Sequence, residues 1–308
     1  MLKIMVQDIT NDPKGSTTLR ILTANLSFHN KKASAVNRAV LEPEPDVIVL
    51  LEWTGENFDG EESGKQGYRA LINAPQPCLP DNPKNGAYGV GVFVRVRLSG
   101  IGCVVPSPVQ GPCPLPLGLA RIRFRERDIT VVGLHAPAPI SEWTTKPTIR
   151  KVMELIRDGK LREDLGAGKE GDWVILTGDF NVPSFDPILR EVRKGGLKDV
   201  YSERNHKPGP TWSPFQFLPD LLMHYVATWG SRHFQEILWN EFHTLKKLPW
   251  QQIADALENI LERLPPFLRL DFIFCPKEFN VVKSWTVKIP GSDHRAVVAD
   301  LVIPISPR

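Results

Sequence analysis

The chain has 308 residues, 42% hydrophobic and 24% charged, with 38 Lys and Arg against 35 Asp and Glu for a formal net charge of +3. That composition excludes a disordered, collagen-like or coiled-coil chain, and the length supports a full hydrophobic core without disulfides or a structural metal. The near-balance of charge carries no polyanion footprint, so any nucleic-acid role must rest on local residues.

The N-terminal run MLKIMVQDITNDPKG is interrupted early by acidic residues and a proline, and it contains no signal-peptide apolar region. No stretch reaches the roughly 20 apolar residues of a membrane helix. A soluble, cytoplasmic protein is the expectation. Short Val- and Ile-rich runs bounded by turns predict strands at Leu19–Ala24, Asp46–Leu51, Tyr88–Val94, Ala120–Phe124, Ile129–Leu134, Trp173–Thr177, Leu270–Cys275 and Ala296–Val302. Pro75–Asn85 and Pro106–Pro116 are proline-rich and read as exposed loops. Pro147, as an early helical residue, precedes Ile149, Val152, Met153, Leu155 and Ile156 at helical spacing. A second helix is predicted over Asp186–Val192, capped by Asp186, with Pro187 first and Gly195-Gly196 ending it. Between Leu218 and Leu264 the pattern is again helical, with Ile253, Ala256, Leu257, Ile260, Leu261 and Leu264 on one face. Strands and helices alternate, yet several strands follow one another directly, which predicts an α/β protein with mixed sheets. No repeat or linker divides the chain, so one domain over 1–308 is expected, with its core at 19–303 and a helical insertion at about 218–264. Cys78, Cys103, Cys113 and Cys275 show no metal or redox spacing and are expected as thiols.

Polar residues recur at the ends of the apolar strands. They are Asn25, Glu52, His135, Asp179 and Asn181 within Gly178-Asp179-Phe180-Asn181, Asp271, and Asp293 and His294 within Ser292-Asp293-His294. Strand ends deliver side chains to one edge of a sheet, where α/β proteins bind ligands. Each has a bland reading alone: a solvated strand end, a structural histidine, a turn. Six such strand-end segments in one chain point to a site. His29 and Asn30 read as simple loop residues, and His224, His233 and His243 lack metal-ligand spacing.

On LRILTANL (19–26), PDVIVLLE (45–52), ITVVGLHAP (129–137), VILTGDFNVP (174–183), RLDFIF (269–274) and GSDHRAVVADL (291–301), the chain resembles the endonuclease/exonuclease/phosphatase superfamily, the DNase I-like group. Its short loops and terminal segment resemble bacterial members. The resemblance implies a four-layer α/β/β/α sandwich of two packed mixed β-sheets. It also implies hydrolysis of a phosphate ester, most readily a phosphodiester, with a divalent metal, Mg²⁺ or Mn²⁺. Such hard cations take carboxylate and water oxygens. By resemblance Glu52 is the main metal ligand, with Asp293 ligating the same metal directly or through water and Asn25 in its shell. Asp179 orients or activates the attacking water, with Asn181 beside it. His294 contacts the scissile phosphate or acts as general acid or base, and Asp271 accepts its other ring N–H. His135 donates to a phosphate oxygen as charge builds. Asn25, His135, Asn181 and His294 form the substrate-phosphate contacts. Two departures stand out. Leu51 replaces the family's usual Gln before the metal-binding Glu, and Ser27 stands where some DNA-repair members place an Asp.

Nucleic acid is the first substrate expectation, cut in endo or exo mode. A small phosphoester or lipid head group, as in sphingomyelinase-like or phosphatase-like members, is the alternative, and a catalytically silent binding module is third. The insertion carries six acidic and four basic residues, which is no DNA-gripping arm. It also holds Trp229, Trp239 and Trp250, and Trp212 precedes it. Such aromatics read as core or as stacking platforms. Arg121, Arg123 and Arg125 alternate along one strand face, read either as a solvated face or as a phosphate track.

Overall fold

A computed structural model describes residues 18–28, 30–73, 89–109, 115–137, 142–163, 165, 173–206, 209–212 and 268–304. The first half contains β1 (Thr18–Asn25), α1 (Ala33–Leu41), β2 (Val47–Trp53), α2 (Gly60–Lys65), β3 (Tyr68–Asn73), β4 (Gly89–Arg95), β5 (Ser99–Val105), β6 (Leu117–Phe124) and β7 (Arg127–His135). The second half contains α3 (Glu142–Arg157), α4 (Lys160–Glu163), β8 (Trp173–Asp179), α5 (Ile188–Lys194), β9 (Leu197–Asp199), α6 (Val200–Arg204), β10 (Asp271–Pro276), β11 (Asn280–Lys288) and β12 (Arg295–Val302).

The strands form two six-stranded sheets, ordered β11-β12-β1-β2-β4-β3 and β5-β6-β7-β8-β10-β9. Each sheet has one parallel pair at its centre, β1–β2 and β7–β8, and its remaining pairs are antiparallel. A parallel pair needs a crossover. Helix α1 supplies it in the first sheet, and α3 with α4 in the second.

The period-2 alternation of each strand sorts its side chains into layers. Leu19, Ile21, Val47 and Val49 meet Ile129, Val131, Ile175 and Ile273 between the sheets. On the outer face of the first sheet, Leu22, Ile48 and Leu50 are covered by Val36, Val40 and Leu41 of α1. On the outer face of the second, Val132, Leu134, Val174 and Leu176 are covered by Ile149, Val152 and Ile156 of α3 and by Ile188, Leu189 and Val192 of α5. The result is the expected four-layer sandwich. At roughly 1.5–3 kcal/mol per buried aliphatic side chain, the inter-sheet layer is the largest single contribution, with the two helix-covered faces adding to it. Gly118 and Gly133 let the sheets approach closely, since a Cβ there would stand 2.5 Å from Val90 Cγ1 and 2.9 Å from Val49 Cγ1 respectively.

Each predicted strand is present within two or three residues. Helix α3 begins five residues before Pro147, so that proline lies inside the helix rather than at its start. Helix α5 begins at Ile188, whose N–H is capped by Asp186 Oδ1 at 2.9 Å. Strands β3, β5, β9 and β11 were not expected. The loop Pro75–Asn85, residues 110–114 and the helical insertion at 218–264 lie outside the described residues. Among the described residues no helix is long and apolar enough to cross a membrane.

Candidate active site

Four strands carry the inter-sheet core outward and end it in polar residues on the same face. On β1 the inward positions run Leu19, Ile21, Thr23, Asn25, and on β7 they run Ile129, Val131, Gly133, His135. On β8 they run Ile175, Thr177, Asp179. Strand β10 is antiparallel to β8 and enters the layer at Asp271, ahead of Ile273 and Cys275. His135 and Asp271 are both register partners of Asp179, so these three form one row across the second sheet.

Glu52 breaks this parity. By strict alternation it would face outward with Ile48 and Leu50. The β2–β4 register shifts between Leu50 and Trp53, and Glu52 takes φ 53°. This bulge turns the carboxylate into the site, where Oε1 lies 3.6 Å from His135 Nε2. Ser27 and Asn181 also have positive φ, 59° and 50°. Three of the five non-glycine residues with positive φ among those described therefore line this site. Gly178 of the GDFN segment has φ 136°, and a Cβ there would collide with Leu134 O at 2.0 Å.

The side chains form one network. Asn25 Nδ2 donates to Glu52 Oε1 and to Asp179 Oδ2, both at 3.1 Å, and its oxygen accepts the Ser27 N–H at 3.0 Å. The Phe28 N–H donates to Glu52 Oε2 at 2.9 Å. Asp179 Oδ1 accepts the Asn181 N–H at 2.8 Å, and Asn181 Nδ2 donates to Ala136 O at 2.7 Å. His294 Nδ1 pairs with Asp271 Oδ2 at 2.8 Å. Its Nε2 faces Asp293 Oδ2 at 3.6 Å and Asp179 Oδ2 at 3.8 Å. The Ser292 hydroxyl donates to Asn25 O at 2.7 Å and accepts the His294 N–H at 3.1 Å, tying the Ser-Asp-His loop to the end of β1.

This is a crowded set of buried acids. Asp179 is 1% exposed, Asp271 0% and Asp293 7%. Burial pushes Asp179 up to about 7, against the pull of His294. Burial likewise raises Asp293. Burial lowers His135. Burial also opposes the charge on His294, but Asp271, Asp293 and Asp179 outweigh it and raise that imidazole well above its ordinary value. Glu52, Asp179, Asp271 and Asp293 together exceed the positive charge that two histidines can supply. Their donors are hard oxygens, and the set is one cation short. A divalent ion of the Mg²⁺ or Mn²⁺ type fits both features.

The structure therefore brings Asn25, Glu52, His135, Asp179, Asn181, Asp271, Asp293 and His294 to one edge of the two sheets. Asn25 spans two carboxylates with its N–H₂ group, which makes it a brace between Glu52 and Asp179. Asp179, Asp271 and His294 have ligand atoms within 4.8 Å of one another. Asp271 and His294 are already joined by their own hydrogen bond there, and the mouth of the site is flanked instead by Glu52 and Asp293. Leu51 is fully buried between the sheets, and Asn57 Nδ2 secures the Glu52 backbone by donating to its carbonyl at 2.7 Å. Asn30 is structural: its Nδ2 joins Leu26 O at 3.1 Å to Pro290 O at 2.8 Å. His29, His224, His233, His243, Trp229, Trp239 and Trp250 lie outside the described residues.

The arginine strip does not reach this edge. Arg121 and Arg123 both pair with Asp128, near the end of β7 remote from His135. Trp212, read from the sequence as core or a stacking platform, and Thr211 before it are instead neighbours of the site. Thr211 Oγ1 accepts the N–H groups of Leu270 and Asp271, and Trp212 Nε1 donates to Asp293 Oδ2 at 2.8 Å. The only signal was their place just before the long gap to Arg269.

The sequence profile of the Endonuclease/Exonuclease/phosphatase family matches residues 22–294. Among curated proteins none matches the sequence significantly. Solved structures share the fold at low identity. The human Nocturnin catalytic domain with bound sulfate anion is 16% identical over 92% of this chain and 93% of its own, with a TM-score of 0.57. Danio rerio (D. rerio) TDP2 complexed with a single-strand DNA product is 14% identical over 93% and 99%, with a TM-score of 0.58. An endonuclease/exonuclease/phosphatase family protein from Bacteroides thetaiotaomicron is 15% identical over 94% and 99%, with a TM-score of 0.58.

Proposed function

The chain belongs to the endonuclease/exonuclease/phosphatase family of metal-dependent phosphoesterases, and on that premise we propose that it hydrolyses phosphodiester bonds in nucleic acid. The observation that carries the reading is the row His135–Asp179–Asp271 with His294 and Glu52 against it, buried at one edge of two sheets. Glu52 and Asp293 would hold the divalent cation. When bound, such an ion supplies Lewis-acid polarisation of the phosphate and offsets developing negative charge. Asp179 is held by the Asn181 N–H and by Asn25 Nδ2, so its carboxylate is fixed to orient the attacking water and accept its proton. Asp271 takes Nδ1 of His294 and leaves Nε2 directed at the mouth of the site for a phosphate oxygen. Neutral His135 donates from Nε2 to a second phosphate oxygen as charge builds. The family resemblance of the fold to a TDP2 solved with a DNA product supports a nucleic-acid strand as substrate.

One observation favours a small phosphoester or lipid head group instead. Arg121 and Arg123 share the single carboxylate of Asp128 at the end of β7 remote from His135, so the arginine strip lies away from a phosphate held at the site. A panel of single- and double-stranded DNA, RNA, a small phosphodiester and a phosphomonoester, each with Mg²⁺ or Mn²⁺, separates the two. Nucleic-acid cleavage should weaken steeply with salt, at roughly 0.9 log unit of binding per log salt for each phosphate held. Cleavage of the small ester with every nucleic acid left intact would sink the nuclease reading.

A further inference from the structure

Two consecutive residues join the strand ends on which Asp271 and Asp293 depend. Thr211 Oγ1 accepts the Leu270 and Asp271 N–H groups at 3.1 Å each. The Thr211 backbone donates to Leu268 O and accepts from the Arg295 N–H, both at 2.7 Å. Trp212 bridges Leu268 on one side and His294 on the other. From that fixed backbone its indole N–H donates to Asp293 Oδ2 at 2.8 Å.

The chemistry of the donor matters. Asp293 is 7% exposed, so water does little to orient it. A lysine or arginine in the same place would fix the carboxylate and also neutralise it, competing with a cation for the same charge. An indole N–H is a neutral donor with no acceptor capacity. It holds one oxygen and leaves the carboxylate its full charge. Indole also has few rotatable bonds, so the direction it imposes is narrow.

We propose that Trp212 is a positioning residue for the divalent cation, orienting Asp293 through its indole N–H. The proposal rests on the reading of Glu52 and Asp293 as the cation's ligands. Partners of this kind are worth about 10–100-fold in metal affinity. The test is Mn²⁺ binding to the full chain, read from the electron paramagnetic resonance of free Mn²⁺, for wild type, Trp212→Phe, Asp293→Asn, Glu52→Gln and the Trp212→Phe/Asp293→Asn double variant. Trp212→Phe should bind Mn²⁺ about 10–100-fold more weakly. The double variant should bind no more weakly than Asp293→Asn alone, because Trp212 acts only through Asp293. A Trp212→Phe protein that binds as wild type does, while Asp293→Asn does not, overturns the proposal. So does a double variant whose losses multiply. If Asp293→Asn and Glu52→Gln both bind as wild type does, the ligand reading beneath it has failed instead. Should Trp212→Phe not fold, 3-benzothienylalanine at position 212 keeps the bicyclic shape and replaces the N–H by sulfur, with the same expected loss.

Discussion

Asp179→Asn should destroy activity while removing a pH-dependent weakness of the metal-free fold. Asp179 is 1% exposed, and burial raises it from 3.8 to about 7. A carboxyl raised in the folded state stabilises the protein below its unfolded value and loses that advantage as pH rises to the folded value. Between pH 5 and about 7 the folded group is protonated while the unfolded one is ionised. Each pH unit then costs 1.36 kcal/mol, so about 3 kcal/mol is lost by pH 8 through this residue alone. Asparagine is neutral throughout and has no such slope. It also places an N–H₂ opposite Asn25 Nδ2, which now donates to Asp179 Oδ2 at 3.1 Å. That mismatch costs roughly 1–3 kcal/mol at every pH and so cancels from the comparison. Urea unfolding in EDTA at pH 5 and pH 8 should therefore show the variant gaining about 3 kcal/mol on wild type across that interval. A stability difference that is the same at both pH values would refute the reasoning, whatever its sign.

Three further outcomes are expected. His294→Ala should lower turnover about 10²- to 10⁴-fold in the substrate panel, and equal rates in variant and wild type would sink the mechanism. Arg269 donates to Asp199 Oδ1 at 3.0 Å and also pairs with Asp199 Oδ2, with its guanidinium 4.6 Å from the Phe272 ring centroid. Arg269→Ala removes the bidentate partner of that buried acid, leaving it Arg193 at 3.7 Å and the Tyr201 and Ser202 donors. It should cost about 1–3 kcal/mol in urea unfolding, whereas a loss under about 0.5 kcal/mol would show the pair to be dispensable. Burial pushes the Cys275 thiol up to about 12, so iodoacetamide at pH 8 should leave Cys275 unmodified in the native protein and alkylate it in guanidinium. Peptide mapping of the two samples checks this, and native alkylation at Cys275 would contradict the packing of β10.

The central strands were legible because they are apolar on both faces. Val47–Leu51 and Val131–Leu134 have a helix-covered side and an inter-sheet side, so neither is diluted by polar residues. The missed strands lack that signature. Strand β11 (NVVKSWTVK) lies at a sheet edge with four residues exposed or half-exposed at its end. Strand β5 (SGIGCVV) reads as a turn because of Gly100 and Gly102. Neighbouring strands leave those glycines no room for a side chain: a Cβ on Gly102 would meet Leu71 O of β3 at 2.8 Å, and one on Gly100 would meet Arg121 O of β6 at 2.6 Å. Among site residues, Asn25, His135, Asp179 and Asp271 could be read as ends of inward-facing alternations. Glu52 could be read only as a strand end, since the bulge that redirects it depends on pairing with β4. The contact of Trp212 with Asp293 could not be read because the two are 81 residues apart.

The position of the site follows from the topology. Each sheet places a parallel pair at its centre, and a parallel pair brings two strand ends out side by side. Asn25 lies at the end of β1 and Glu52 at that of β2, while His135 and Asp179 end β7 and β8. The antiparallel neighbours β10 and β12 begin at the same edge, so Asp271 and the Ser292-Asp293-His294 loop arrive there from the opposite direction. The hydrogen bond from Asn25 to Asp179 then closes the gap between the sheets across 154 residues of sequence. A hydrophobic layer that ends in polar residues at one edge gathers the buried acids of the site there. Raised Asp179 and Asp293, and three residues held at positive φ, are the local cost. A divalent cation would offset the crowded negative charge and let an anionic phosphate enter beside it, so on the proposed function substrate should bind more tightly in the presence of the metal than in EDTA.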